Sequence, residues 1–156
     1  MIRLAEKRDI PDILRLLVQV ARVHRDGRPD LFKDQATKFS AEELADMLAE
    51  GRWPIFVLTD EADARVLGHC FCEIIQRSGS AVLTDIRTLH IHDLCVDEAA
   101  RGTGVGRRLY EHALAYAREQ GCHNLTLNVW TCNPSAMRFY EKMGLKPQKI
   151  GMETIL

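Results

Sequence analysis

An α+β fold built on a single central sheet is predicted by three observations. Two segments with helical periodicity stand near the start, and a block of β-rich runs follows them. Helix and strand signals then alternate to the end of the chain, with glycine, proline and Asn-Pro punctuation between them. At 156 residues the chain has the length of one domain spanning 1–156, with no internal repeat and no low-complexity linker. A chain of that size buries roughly 68–70% of its unfolded surface, enough for a core without metals or disulfides.

Taken in order, Met1 to Leu4 is a short apolar opening read as a strand. Asp9 and Pro11 are helix-start signals, and Ile13, Leu16, Leu17, Val20 and His24 follow at helical spacing, predicting an amphipathic helix to about His24. Residues 25–38 carry Asp-Gly, Pro-Asp and mixed charge, which reads as a loop long enough to be functional. Ser40-Ala41-Glu42-Glu43 is a capping box, and Leu44, Met47 and Leu48 carry a short helix that stops at Gly51. Strands are predicted at Ile55 to Thr59, Arg65 to Gln76 and Arg87 to Val96, with turns at 60–64 and at Ser78-Gly79-Ser80. A helix with Val105, Leu109, Leu114 and Ala117 on its apolar side ends at Gly121, and Leu125 to Trp130 reads as a strand. Asn133 and Pro134 then start a last helix, as N-cap and first helical residue, and Gly144 caps it after Met143. Lys149 to Ile155 closes the series as a sixth strand, so the order is β-α-α-β-β-β-α-β-α-β with four helices.

Composition narrows the function classes. Hydrophobic residues make up 46% and charged residues 28%, which is ordinary globular usage and excludes collagen-like and disordered chains. The net charge of −1 conceals a split: residues 1–100 hold 13 basic and 18 acidic side chains, residues 101–156 hold 8 and 4. The five cysteines, Cys70, Cys72, Cys95, Cys122 and Cys132, form no repeated CxxC spacing, so neither a disulfide framework nor a zinc site is indicated and no metal is expected. The N-terminal residues are charged rather than signal-like, and no apolar run approaches the roughly 20 residues of a membrane span. The expectation is a soluble cytoplasmic protein with no membrane contact. A pI of about 6.6 without a basic stripe or aromatic platform also argues against nucleic acid.

The most informative stretch is Arg101-Gly102-Thr103-Gly104-Val105-Gly106, between an apolar strand and a helix start. Glycines there let backbone N–H groups approach an anion, the helix N-terminus adds partial positive charge, and Arg101, Arg107 and Arg108 flank it. The chemistry indicated is phosphate binding. A dinucleotide fingerprint fails because Arg107 occupies the position of its third glycine, and a P-loop fails for want of Gly-Lys-Ser/Thr.

Leu94-Cys95-Val96-Asp97 followed by Arg101 to Gly106 resembles motif A of the GNAT-type N-acetyltransferase superfamily. Asn133-Pro134-Ser135-Ala136 with Phe139-Tyr140-Glu141-Lys142-Met143-Gly144-Leu145 resembles its motif B. The resemblance is strong from about Arg87 to Leu145 and topological before that. It implies a three-layer α+β domain whose mixed sheet of about six strands is splayed between the fourth and fifth. It also implies acetyl-CoA as acyl donor, direct transfer to an amine of a small molecule or protein through a tetrahedral intermediate, and a homodimer through the C-terminal strands.

Residue by residue, the resemblance implies that backbone groups of Leu94, Cys95 and Val96 bond the pantetheine and polarise the thioester carbonyl. The loop Arg101, Gly102, Thr103, Gly104, Val105 and Gly106, with Arg107, would take the pyrophosphate, and Asn133 would hold the pantetheine arm. Tyr140 corresponds to the residue that protonates the leaving thiolate. The general base is less direct. Relatives with an I-E-D-L pattern carry Glu where this chain has His92, and imidazole suits base work near neutral pH. Glu73 on the long third strand is the other leading candidate, with His90 and Asp93 further ones. The alternatives on the same fold are an acyl-CoA-binding regulatory module and transfer of a different acyl group.

Overall fold

The computed structural model describes residues 1–156. Its sheet has five strands, β1 (Ile2–Leu4), β2 (Ile55–Thr59), β3 (Val66–Gln76), β4 (Arg87–Val96) and β5 (Asn124–Leu127), lying side by side in chain order. The first four pair antiparallel and β4–β5 is parallel, joined by the crossover helix that a parallel pair requires. The helices are α1 (Ile10–Gly27), α2 (Ala41–Glu50), α3 (Val105–Glu119) and α4 (Pro134–Lys142).

The apolar periodicity of each helix is spent on one face of the sheet. From α1 and α2, Ile13, Leu16, Leu17 and Leu44 pack on Val57, Phe71 and Cys95. On the other face Leu109, Ala113 and Ala117 of α3 meet Phe56, Cys70, Cys72, Leu89 and Ile91, with Phe139 and Met143 at the margin. The result is the expected three-layer α+β arrangement. A fully buried Leu or Ile contributes about 1.5–3 kcal/mol, so these two clusters supply most of the driving force. Close approach of α3 depends on Gly68: a Cβ there would lie 2.8 Å from the Cys95 carbonyl oxygen and 2.9 Å from side chains of Leu109 and Val105.

Two local irregularities position the functional region. Phe71 pairs with Asp93 but Cys72 pairs with Ile91, so His92 is the extra residue of a β-bulge in β4. Parallel pairing to β5 runs only from Thr88↔Asn124 to Ile91↔Leu127, so His92 to Val96 continue with no strand on that side. This is the splay between the fourth and fifth strands.

The predicted sixth strand is not formed. Leu145 makes the last backbone hydrogen bond of the chain, to Tyr140, and residues 149–156 are exposed and irregular. Pro147 and Gly151 interrupt strand geometry there, and a four-residue β5 offers only a short edge. The strand predicted over Leu125 to Trp130 also stops at Leu127, whereas α1 runs past His24 to Gly27, which packs against Cys132. No helix is long and apolar enough to cross a membrane.

A charged cluster ties α1 to the approach of the glycine loop. Buried Asp97 accepts from Arg15 Nη1 at 2.6 Å, Arg65 Nη2 at 2.8 Å and the Ala99 amide at 3.1 Å. Burial works to raise its pKa, but the Ala99 amide and the two guanidiniums outweigh burial and hold it below the ordinary 3.8. A carboxylate lowered on folding stabilises above its unfolded pKa and loses that contribution as pH falls through the folded value. Asp97→Asn is therefore expected to cost about 2 kcal/mol at neutral pH, less than a fully buried pair because both arginines reach water. Urea denaturation should show this deficit shrinking below about pH 4.

Candidate active site

The glycine loop presents a cluster of free donors. Gly102 and Gly104 have φ of 79° and 89°, left-handed values that reverse the chain and start α3. The amides of Gly102, Gly104, Val105, Gly106 and Arg107 donate to no protein acceptor, whereas the Arg108 amide already bonds the Gly104 carbonyl. Thr103 is exposed, and its hydroxyl donates to the Ala100 carbonyl at 2.6 Å. Arg107 and Arg108 are exposed, and Arg101 lies 4.0 Å from Glu98. Convergent amides, a helix N-terminus and three guanidiniums fit a polyphosphate. Gly106 has a packing role as well, since a Cβ there would touch Val96 at 3.3 Å and Phe139 at 3.4 Å.

Gly104→Val would force a β-branched residue into the left-handed region and strain the turn that presents the free amides. Calorimetric titration is expected to show acetyl-CoA affinity falling more than about tenfold, with the fold intact because residue 104 is exposed.

The open side of β4 continues this surface. The Asp97 amide bonds the Leu67 carbonyl at 2.8 Å, which sets the alternation along the strand. Cys95 and Asp93 turn their backbone groups to β3, while Leu94 and Val96 present theirs to the gap left by β5. Of the three residues expected to bond a pantetheine chain, Leu94 and Val96 thus face the gap. Cys95 instead buries its thiol against the Leu16 carbonyl at 3.3 Å, and burial pushes its pKa up to about 12.

Motif B packs beside the start of α3, where Phe139 approaches Gly106. Asn133 caps α4 by accepting from the Ala136 amide at 3.2 Å, which leaves its NH2 group without a protein partner. Tyr140 is half-buried, its ring 5.2 Å from that of Phe139, and its hydroxyl bonds no protein group. Burial, reinforced by Cys70, Asp93 and Cys95 nearby, raises the phenol above its ordinary 10.0, so it stays protonated and able to donate.

The two leading base candidates meet each other. His92 Nε2 and Glu73 Oε2 are 2.7 Å apart, joined across the bulge. His92 also stacks on Trp53, with ring centroids 4.0 Å apart and planes inclined by 6°, and takes the edge of His90 at 4.7 Å. His90 itself bonds Thr126 Oγ1 at 2.9 Å, and burial together with His92 holds its pKa below 6.5 despite Glu73. Asp93 is bonded instead to fully buried His69, Nε2 to Oδ2 at 3.0 Å.

Above this polar face, the segment between α1 and α2 is pinned at both ends. Lys38 Nζ donates to the His92 carbonyl at 2.9 Å, Phe32 packs between His24 and half-exposed Trp130, and Arg28 pairs with Glu153 of the C-terminal segment. Sequence reasoning missed His69 and Trp53, which sit among apolar residues with no motif to mark them.

The sequence and the fold are similar to those of known proteins. The model of the acetyltransferase (GNAT) family matches residues 20–145. The chain is 32% identical over 123 residues to glucosamine 6-phosphate N-acetyltransferase 1 of Oryza sativa subsp. japonica, covering 76% of this chain and 67% of that protein. It is 34% identical over 131 residues to a peptidyl-lysine N-acetyltransferase of Salmonella typhimurium, covering 83% of this chain and 74% of that one. Several other curated relatives are matched over less than half of their own length. Among solved structures, a Bacillus halodurans protein superposes with a TM-score of 0.94 at 28% identity, over 100% of this chain and 99% of that one.

Proposed function

The chain belongs to the GNAT family of acetyltransferases, and on that premise we propose that it moves the acetyl group of acetyl-CoA directly to a primary amine of a small molecule or protein. The observation that carries the reading is the convergence at the β4 splay of five free loop amides, the open backbone of Leu94 and Val96, Tyr140 and the His92–Glu73 pair.

Each group has a role that its chemistry permits. Loop amides with Arg101 and Arg107 neutralise the pyrophosphate, and Asn133 donates to the pantetheine arm. A carboxylate only accepts, so Glu73 holds the proton on His92 Nε2 and leaves Nδ1 with the lone pair. Nδ1 takes the proton that the amine loses as its nitrogen bonds the thioester carbonyl carbon. The carbonyl oxygen gains charge in the tetrahedral intermediate and is met by a backbone N–H of the open β4 edge. As the C–S bond breaks, Tyr140 gives its proton to the departing thiolate, and the products are an N-acetyl amine and the free thiol.

The names of the relatives span an amino sugar phosphate and peptide lysine, which supports an amine acceptor without choosing between them. The reading is tested by thiol release from acetyl-CoA over a panel of amino sugars, polyamines and lysine peptides, with the product identified by mass spectrometry. Release matched one-for-one by an N-acetyl product is expected. Tight acetyl-CoA binding with no release on any amine would point to a binding module, and release only from a longer acyl-CoA would replace the donor.

A further inference from the structure

Trp53 stands just before β2, outside both motifs, and its relation to His92 is unusual for a packing aromatic. The two rings are nearly parallel, 6° apart in plane at a centroid separation of 4.0 Å. His90 meets the imidazole in a T-shaped contact at 4.7 Å, and Glu73 bonds its Nε2 at 2.7 Å. Trp53 is held in turn by the edge of Phe39 at 6.5 Å, which itself stacks on buried Phe71 at 5.6 Å. The indole is therefore anchored to the core and has its π-face against the imidazole. Its Nε1 is buried and bonds nothing, so the contact is made by the ring face and not by a hydrogen bond.

We propose that Trp53 is a positioning residue for the general base: it fixes the plane of the His92 ring so that Nδ1 faces the amine, and its π-face stabilises the imidazolium formed when the proton arrives. The proposal rests on the assignment of His92 as base. The indole is the strongest of the aromatic partners for a cation, and a face-to-face imidazolium at this distance lies within range. The charged and titratable groups around the ring are Glu73 on β3, His90 and Asp93 on β4, Lys38 on the α1–α2 segment and Lys149 near His90 on the C-terminal segment. Of these, Glu73 and Asp93 favour the imidazolium, while His90 and the two lysines do not, so the stack works on the same side as the two carboxylates.

The test compares Trp53→Leu with Trp53→Phe. Losing the π-face destabilises the protonated ring, so the acidic limb of kcat/KM should move to lower pH by about half a unit in the leucine variant. The plateau should fall about 3- to 10-fold through kcat, with acetyl-CoA affinity unchanged by calorimetry. Phenylalanine should restore the plateau to within about twofold and give an intermediate limb. If the leucine variant does not fold, the phenylalanine variant is read alone against wild type, and an unmoved limb there overturns the proposal. Equal behaviour of the two variants, or a wild-type limb in leucine, also overturns it. NMR titration of the His92 ring separates this from the base assignment: a ring that titrates lower in Trp53→Leu upholds the stack even where His92→Ala keeps full activity, a result that would remove only the catalytic assignment.

Discussion

His92→Ala is expected to lower kcat/KM for amine acetylation by about 10²- to 10⁴-fold and to abolish the acidic limb of its pH profile. The magnitude follows from geometry. Glu73 bonds Nε2 at 2.7 Å, Trp53 covers one face, and His90 meets the ring at its edge, so the imidazole is held in place before the amine arrives. At low pH the wild-type ring is protonated and cannot accept, which produces the limb; alanine has nothing to titrate. Glu73→Gln should be milder, because an amide can still bond the ring but no longer enforces one tautomer or supports the positive charge. Full activity and an unchanged limb in His92→Ala would move the base to Glu73, to His90 or Asp93, or to solvent.

Tyr140→Phe is expected to reduce kcat by about 100-fold while leaving acetyl-CoA affinity within about twofold of wild type. Phenylalanine preserves the ring and its contact with Phe139, so only the proton donor is lost. The raised pKa of the phenol means it is protonated throughout the working range, and no alkaline limb from Tyr140 should appear near neutral pH. The diagnostic is the leaving group: an acetyl thioester of a more acidic thiol departs without protonation, so it should recover most of the lost rate in Tyr140→Phe. A uniform defect on every thioester would mean that Tyr140 serves binding or packing.

What could be read from the sequence was what is local. The glycine loop announces itself because left-handed turns need glycine and a helix start needs no distant partner, so Gly102 and Gly104 were identifiable without a fold. The capping box at Ser40, the Asn133 cap and the helix-ending Gly51 are local in the same sense, and each stands where predicted. The pairing of His92 with Glu73 was not readable. Strand parity puts alternate residues on opposite faces, and the single extra residue at His92 resets that parity part-way along β4. The Trp53 stack and the His69–Asp93 pair join residues far apart in the chain, and nothing in their neighbours' sequence marks them. The C-terminal segment erred in the opposite direction. Alternating apolar residues at Ile150 and Met152 look like a strand, but a strand needs an edge to pair with, and β5 ends at Leu127.

The uneven distribution of charge along the chain is partly explained by the glycine loop. Arg101, Arg107 and Arg108 account for part of the basic excess after residue 100 and flank the free amides, whereas Glu73 and Asp93 each bond a histidine on β3 or β4.

The gap opened where β5 leaves β4 is expected to receive the acyl donor and to bring its thioester between Tyr140 and the His92 ring. A crystal structure of the chain with bound coenzyme A tests it most directly. The pyrophosphate is expected on the amides of Gly102 to Arg107, the pantetheine chain bonded to Leu94 and Val96 as an added strand, and the sulfur within hydrogen-bond reach of the Tyr140 hydroxyl. Coenzyme A seated elsewhere, or with its sulfur pointing away from Tyr140 and His92, would contradict it.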